Sequence, residues 1–318
     1  MAEKRPNPIQ RILAILKFQR SEIWSIYFYA ILNGLVQLSL PLGIQSIISF
    51  VQGGSISTSI VILIFLVVTG VFFTGLFQVN QMRLIEKIQQ QLFVRYSFEY
   101  ARKIPRINLR SIDKYYLPEV VNRFFDTMTL QKGLAKLLLD IPTASIQILF
   151  GLLLLSFYHP VFILFGLSLV LVLFMMLRFS GNQGLESSME ESNHKYEMAG
   201  WLEEFARVVI TFKFSKSTSL HLHNTDHTVL NYISARTRHF RILLFQYWTL
   251  VGFKIAITAT MLIVGSVLLV NQQLNIGQFI AAEIIILMVI SSVEKLIINL
   301  ENVYDVLTGV DKLGKLTD

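Results

Sequence analysis

The chain contains no cysteine, which excludes disulfides, thiolate metal sites and thiol catalysis. Charge is scarce as well: 15% of the residues are Asp, Glu, Lys or Arg, against about 25% in soluble domains. What fills the place of charge is apolar sequence, at 53% of the residues with a mean hydropathy of +0.55. It is concentrated in runs such as "IVILIFLVVTGVFFTGLF" (60–77) and "ILFGLLLLSFYHPVFILFGLSLVLVLFMML" (148–177). A helix crosses the hydrocarbon core in about 20 residues. The second run therefore reads as two spans joined by a tight turn at Tyr158-His159-Pro160. The composition is that of a polytopic all-α membrane protein.

The first twenty residues, "MAEKRPNPIQRILAILKFQR", are basic but lack a long apolar centre and a small-residue cleavage site, so they do not read as a cleavable signal. Pro8 followed by Ile9, Ile12, Leu13, Ile15 and Leu16, with Arg11 and Lys17 among them, predicts a short amphipathic helix on the membrane surface over 1–20. Six spans follow, at roughly 22–51, 57–80, 138–158, 161–179, 244–270 and 278–300. Their connectors alternate in length. "QGGSIS" (52–57), "YHP" (158–160) and "NQQLNIG" (271–277) are short, whereas about 81–137 and 180–243 are long and polar.

None of the 28 Lys and Arg residues falls in the three short loops. The positive-inside rule then predicts cytoplasmic termini and cytoplasmic long connectors. The net charge of +7 is accounted for by topology and calls for no nucleic-acid partner. No proline interrupts the sequence from Thr58 until Pro105, which predicts a rod of about 65 Å at about 1.5 Å per residue. Ile85, Ile88, Leu92 and Tyr96 recur within it at helical spacing and predict a packed face. Leu185, Met189, Tyr196, Leu202 and Phe205 predict a similar face in 185–209. At the two turning points apolar and aromatic residues accumulate: "RINLRSIDKYYLPEVVNRFFD" (106–126) and "ARVVITFKFSKSTS" (206–219). Apolar loop tips of this kind suit protein docking.

This pattern resembles the transmembrane domain of ABC exporters of the six-helix, type-1 class. The resemblance covers essentially the whole chain and rests on architecture more than on invariant residues. "EVVNRFFD" is similar to the family's Glu-hydrophobic-x-x-Arg-x-x-Asp run, at Glu119, Arg123 and Asp126. "EEFARVVITFKF" is similar to its second coupling stretch, with Lys213 at the Lys position, and "LNIGQFIAAEIIILM" to the start of its sixth helix. Two departures stand out: "ARVVITFKF" lacks the Gly common in that stretch, and "LMVISSVEKLI" lacks the Pro often found midway along the sixth helix.

The resemblance implies an elbow helix (1–20), a six-helix domain (21–305) with a coupling helix in each long loop, and the start of a linker to a nucleotide-binding domain (306–318). It further implies a second transmembrane subunit, identical or related, with helices four and five crossing to it. Ile112, Asp113, Tyr115, Tyr116, Val209, Phe212 and Phe214 would dock an ABC ATPase domain. ATP and Mg would be bound by that domain and not by this chain. The expected setting is the plasma membrane, the bacterial inner membrane in particular.

Other constellations carry less. "GVDKLGKLT" approaches a phosphate loop at Gly309, Gly314 and Lys315, but Leu316 stands where Ser or Thr must ligate magnesium, and no strand precedes it. "HLHNTDH" (221–227) puts His223 and His227 one helical turn apart, yet on a helix returning to the membrane it reads as a polar face; no metal site and no catalytic set is expected. Glu283 lies about six residues into the sixth span, where a carboxylate costs about 2.5–3.5 kcal/mol on insertion scales. It should face protein or water, lining a pathway or paired structurally. Asn33, Gln37, Pro41 and Gln45 recur every four residues in the first span, as interhelical contacts or pathway lining. Asn33, Gln37, Gln45 and Glu283 are thus the pathway candidates. The reading is the membrane part of an ATP-driven exporter working by alternating access. The alternatives are a motor-less scaffold or regulator with the same fold, and a proton-coupled carrier using Glu283.

Overall fold

The structure is a computed structural model that describes residues 7–54, 58–106, 121–214 and 219–317. The helices are α1 (Pro8–Phe18), α2 (Arg20–Gln37), α3 (Ser39–Gln52), α4 (Thr58–Lys103), α5 (Asp126–Tyr158), α6 (Val161–Arg207), α7 (Val209–Phe214), α8 (Leu220–Val270) and α9 (Ile276–Thr317). No strand occurs among the described residues. Six helical segments are long and apolar enough to span a membrane: α2 with α3, then α4, α5, α6, α8 and α9. The expected rod from Thr58 is present as the 46 residues of α4. Residues 309–315, with their near-miss to a phosphate loop, lie inside α9.

The first span is not the single helix expected over 22–51. It breaks at Leu38, between α2 and α3. Pro41 is the cause: it has no N–H to offer the carbonyl of Gln37, and its ring crowds that carbonyl. The α8–α9 turn is closed by reciprocal bonds. Gln278 N–H donates to Asn275 Oδ1 at 2.7 Å, and Asn275 N–H donates to Gln278 Oε1 at 3.0 Å. This is the capping-box arrangement, written in the sequence as Asn-Ile-Gly-Gln.

Two apolar cores are stacked along the bundle. Toward the short loops, Ile148 and Leu155 of α5, Phe162, Leu169 and Met176 of α6, Leu250 and Met261 of α8, and Ile285, Val289 and Val293 of α9 pack together. Toward the long connectors, the stalk end, the expected face Ile85, Ile88, Leu92 and Tyr96 of α4 is buried. It packs against Ile15, Ile26, Leu130, Leu134, Val306 and Leu313. The elbow α1 therefore docks by Ile15 onto the stalk core. Arg11 crosses Gly314 there, at a place a Cβ would occupy.

The packed face expected in 185–209 is corrected in its make-up. Leu202 is exposed. The buried stripe of α6 is instead Ser180, Gly184, Ser187, Ser188, Ser192 and Tyr196. Small residues let a helix approach closely, and the ring of Tyr304 on α9 lies against Gly184 with no room for a Cβ.

Candidate functional site

Two groups of residues bear on function, one at the stalk end and one within the spans. At the stalk end, α6 stops at Arg207, and α7 turns the chain back toward α8. Phe212 points inward, its ring 4.9 Å from that of Phe205. Phe205 in turn stacks on His221 at 5.4 Å and Trp201 at 6.3 Å. Trp201 Nε1 donates to Thr225 Oγ1 at 2.9 Å, tying α6 to α8. The aromatic stack fixes α7 so that Ile210 and Phe214, 67% and 83% exposed, project outward with Val208 and Val209 half covered. Of the docking candidates, Val209 and Phe214 are thus presented, whereas Phe212 serves as the anchor. Ile112, Asp113, Tyr115 and Tyr116 lie outside the described residues.

The base of the other tip is held by charge. Arg123 and Asp126 are both buried. Lys195 Nζ lies 3.4 Å from Asp126 Oδ1 and 4.7 Å from the centre of the Tyr196 ring. Arg123 and Lys312 approach the same ring at 6.0 and 5.7 Å, and Lys312 also bonds Asn193. Cations gather on an aromatic face because its quadrupole is negative there. The start of α5, the stalk of α6 and the end of α9 are joined at this point.

Within the spans, the polar stripe of the first helix is divided among several partners. Gln147 Nε2 on α5 donates to Gln37, and Ser292 Oγ on α9 donates to Gln147 Oε1 at 2.8 Å. Three spans are linked by this chain of amide and hydroxyl. Gln45 accepts a bond from the Tyr158 hydroxyl. Asn33 is fully buried, and neither of its side-chain polar atoms has a partner among the described residues. Glu283 is half-buried on α9, and its Oε2 likewise has no partner among them. No hydrogen bond joins Glu283 to Asn33, Gln37 or Gln45 among the described residues.

Sequence reasoning passed over an ion pair. Lys254 Nζ of α8 meets Glu294 Oε2 of α9 at 2.5 Å, each side chain about a third exposed. Both charges lie inside spans at similar distances from the α8–α9 turn, about 24 and about 27 Å at about 1.5 Å per residue. That near-match was the available signal. Gln246 was also missed. It is buried and donates to Ser180 Oγ at 2.8 Å and Tyr304 Oη at 2.9 Å. His239 is buried too, with Nδ1 2.8 Å from Ser187 Oγ. Asn299 donates to Asp140 Oδ2 at 3.0 Å. Among the described residues no group of three acidic or His side chains is placed to hold a metal; His223 and His227 are exposed on α8.

Six apolar helices, four of them running far beyond a bilayer, define a class: a polytopic membrane domain built on long helical stalks. The family is then given by sequence. Residues 23–293 match the description "ABC transporter transmembrane region", and the chain belongs to that family as the membrane domain of an ABC transporter. No match was found among curated proteins.

Proposed function

We propose that the chain is the membrane half of an ATP-driven exporter, moving its substrate by alternating access. ATP and Mg act in an ABC ATPase domain that is either a separate subunit or continuous with the full polypeptide. The observation that carries this reading is the α7 tip. Ile210 and Phe214 are held outward by a half-buried aromatic stack at the far end of helices of 47 and 51 residues. An exposed apolar surface so firmly positioned suits a protein partner. The stalk end is cytoplasmic on this reading, in line with the placement of Lys and Arg, and the setting is the plasma membrane.

A second transmembrane subunit, identical or related, completes the pore. Val94 and Phe98 on α4, and Leu230 and Ile233 on α8, are exposed apolar residues well outside the spans. The partner's α6 and α8 would cover them. Asn33, Gln37, Gln45 and Glu283 are assigned to the pathway, which Asn33 and Glu283 support by carrying polar atoms without partners among the described residues. The half-buried Glu283 favours a second reading, a proton-coupled carrier, in which Glu283→Gln abolishes transport that needs no nucleotide.

The test is ATP hydrolysis by the complex purified from native membranes. Vanadate-sensitive hydrolysis that is lost in the pair Ile210→Glu, Phe214→Glu supports the exporter. Hydrolysis indifferent to these substitutions, or absent from the unaltered complex, contradicts it.

A further inference from the structure

His239 lies on α8 just outside the span expected at 244–270, where α6, α8 and α9 meet. It is 1% exposed. From α6 comes Ser187, whose Oγ is 2.8 Å from the ring Nδ1. From α9 comes Tyr304, whose ring stands edge-on to the imidazole with centres 6.1 Å apart.

The bonding around the ring fixes where its hydrogen sits. Ser187 has one hydroxyl hydrogen, donated to the Gly184 carbonyl at 2.9 Å. The contact between Ser187 and the ring therefore has Nδ1–H as its donor. A neutral imidazole carries a single N–H, so Nε2 bears an open lone pair. That atom is buried and has no partner among the described residues. A proton arriving there would create a buried cation whose new N–H meets neither an acceptor nor water, which is unfavourable. Only the neutral ring fits the closed joint.

Charged groups on all three helices surround it. Glu191 and Glu190 of α6 are paired with Arg236 and Arg238 of α8, at 3.1 and 2.6 Å. Arg236 also stands 3.6 Å from Glu301 of α9, and Asp305 follows one turn on. Burial pushes His239 below the ordinary imidazole value of about 6.5; Glu191 and Glu301 oppose that push, and Arg236 adds to it. Asp305 is raised to about 6, first by burial and then by Glu301 and Glu191. It acts in the opposite sense, since it takes up its proton more readily while buried. Its cleft is shared with Gln89 of α4 and with Thr129 and Lys132 of α5, so most of that burial survives a movement of α8.

We propose that His239 is a proton-operated latch on α8. Unprotonated, it keeps α8 seated on α6 and α9. Protonated on Nε2 by water, it lets α8 part from them until the new N–H is hydrated. Above about pH 6.5 neither the seated nor the parted ring takes up a proton, and the latch is at full strength. As pH falls below that value, the wetted ring gains a proton that the buried one resists, and the balance moves toward parting. Acidification at the stalk end thus loosens α8. The latch does not rest on the transport reading above; only its effect on a motor does.

The chain lacks cysteine, so Ala235→Cys supplies a single reporter thiol. Ala235 is 2% exposed and lies one turn from His239 on the same face of α8. The full chain in phosphatidylcholine nanodiscs, without nucleotide, is modified with a methanethiosulfonate reagent at neutral and at mildly acidic pH. Each rate is divided by that of Ala101→Cys, an exposed position on α4, which removes the pH dependence of the thiolate itself. For one group titrating at about 6.5 when wetted, the ratio should rise by up to about tenfold between about pH 7.5 and about pH 5.5. In His239→Asn, whose amide keeps a donor for Ser187 but takes up no proton, the ratio should not change with pH. In Asp305→Asn the rise should be as large or larger. A ratio that is flat or falls on acidification with His239 in place, or one that rises as steeply in His239→Asn, overturns the proposal. Nitrogen NMR of the histidine-labelled, otherwise unaltered chain tests it without a variant at the ring: a buried imidazole with its hydrogen on Nδ1 is expected, titrating below the exposed ones. A buried ring with its hydrogen on Nε2, or one titrating with the exposed histidines, contradicts the latch. No ATPase enters these measurements, so their failure leaves the transporter reading intact, and absence of ATP hydrolysis leaves the latch intact.

Discussion

The two ends of the bundle are held together differently. Toward the short loops, α5, α6, α8 and α9 share one apolar core. At the stalk end the apolar core belongs to α1, α2, α4, α5 and α9, and no residue of α6 or α8 joins it. There α6 and α8 are held to each other and to α9 mainly by polar and charged contacts: Ser187 to His239, Ser188 to Thr308 at 3.0 Å, Gln246 to Ser180 and Tyr304, and the ion pairs Arg236–Glu191 and Arg238–Glu190, with the Phe205–His221 stack near the tip. Helices α5 and α9 run through both cores and form a spine. Helices α6 and α8, with the α7 tip between them, form an arm. Interdigitated apolar packing resists sliding, whereas polar contacts on small residues can be exchanged for water or for other partners at modest cost. On the proposed reading the arm is the element that moves, and the tip proposed to meet the motor sits on it.

Substitutions separate spine from arm by size of effect. Leu130→Ala, in the stalk core and fully buried, should cost about 2–5 kcal/mol and lower the melting temperature of the whole chain in detergent. Lys254→Leu leaves Glu294 without its partner inside a span. A loss of about 1–3 kcal/mol is expected, at the low end because both groups are partly exposed. The double substitution Lys254→Leu, Glu294→Leu should recover most of it, since an ion pair replaced whole by apolar residues costs little. If the double variant is worse than either single, the pair is not coupled. Ser187→Ala removes one arm contact and should cost about 0.5–1.5 kcal/mol. Its effect should appear as faster amide exchange in 185–207 and 220–240, with the α4–α5 stalk unchanged. Equal acceleration in both regions would erase the distinction between spine and arm.

Which parts of this were legible in the sequence follows from hydropathy. Ile85, Ile88, Leu92 and Tyr96 announce a buried face because large apolar residues recur at helical spacing, and they are buried. The α6 stripe of Ser180, Gly184, Ser187 and Ser188 has no such contrast with solvent-facing sequence, so hydropathy points to Leu202 as core in its place. The break at Leu38 was signalled by Pro41, but a proline within an apolar run reads equally as a tolerated kink. Asn33 and Gln37 were identified by spacing; Gln147 and Ser292, which complete the polar chain to α9, are isolated polar residues in their own helices, visible only once three helices are brought together. At the stalk end, Val209 and Phe214 could be read as exposed, but the inward turn of Phe212 depends on Phe205 and His221 from two other helices.

The account rests on movement of the arm against the spine under ATP. The chain has no cysteine of its own, so Ala101→Cys on α4 and His223→Cys on α8, both exposed positions, can carry the only two spin labels per chain. The measurement is the distance distribution between them by electron double resonance, on the complex with its ATPase in lipid, before and after ATP with vanadate. The account predicts two populations whose ratio shifts with nucleotide, while a control pair placed on α4 and α9 stays fixed. A distribution unchanged by nucleotide, in a complex that hydrolyses ATP, would contradict it.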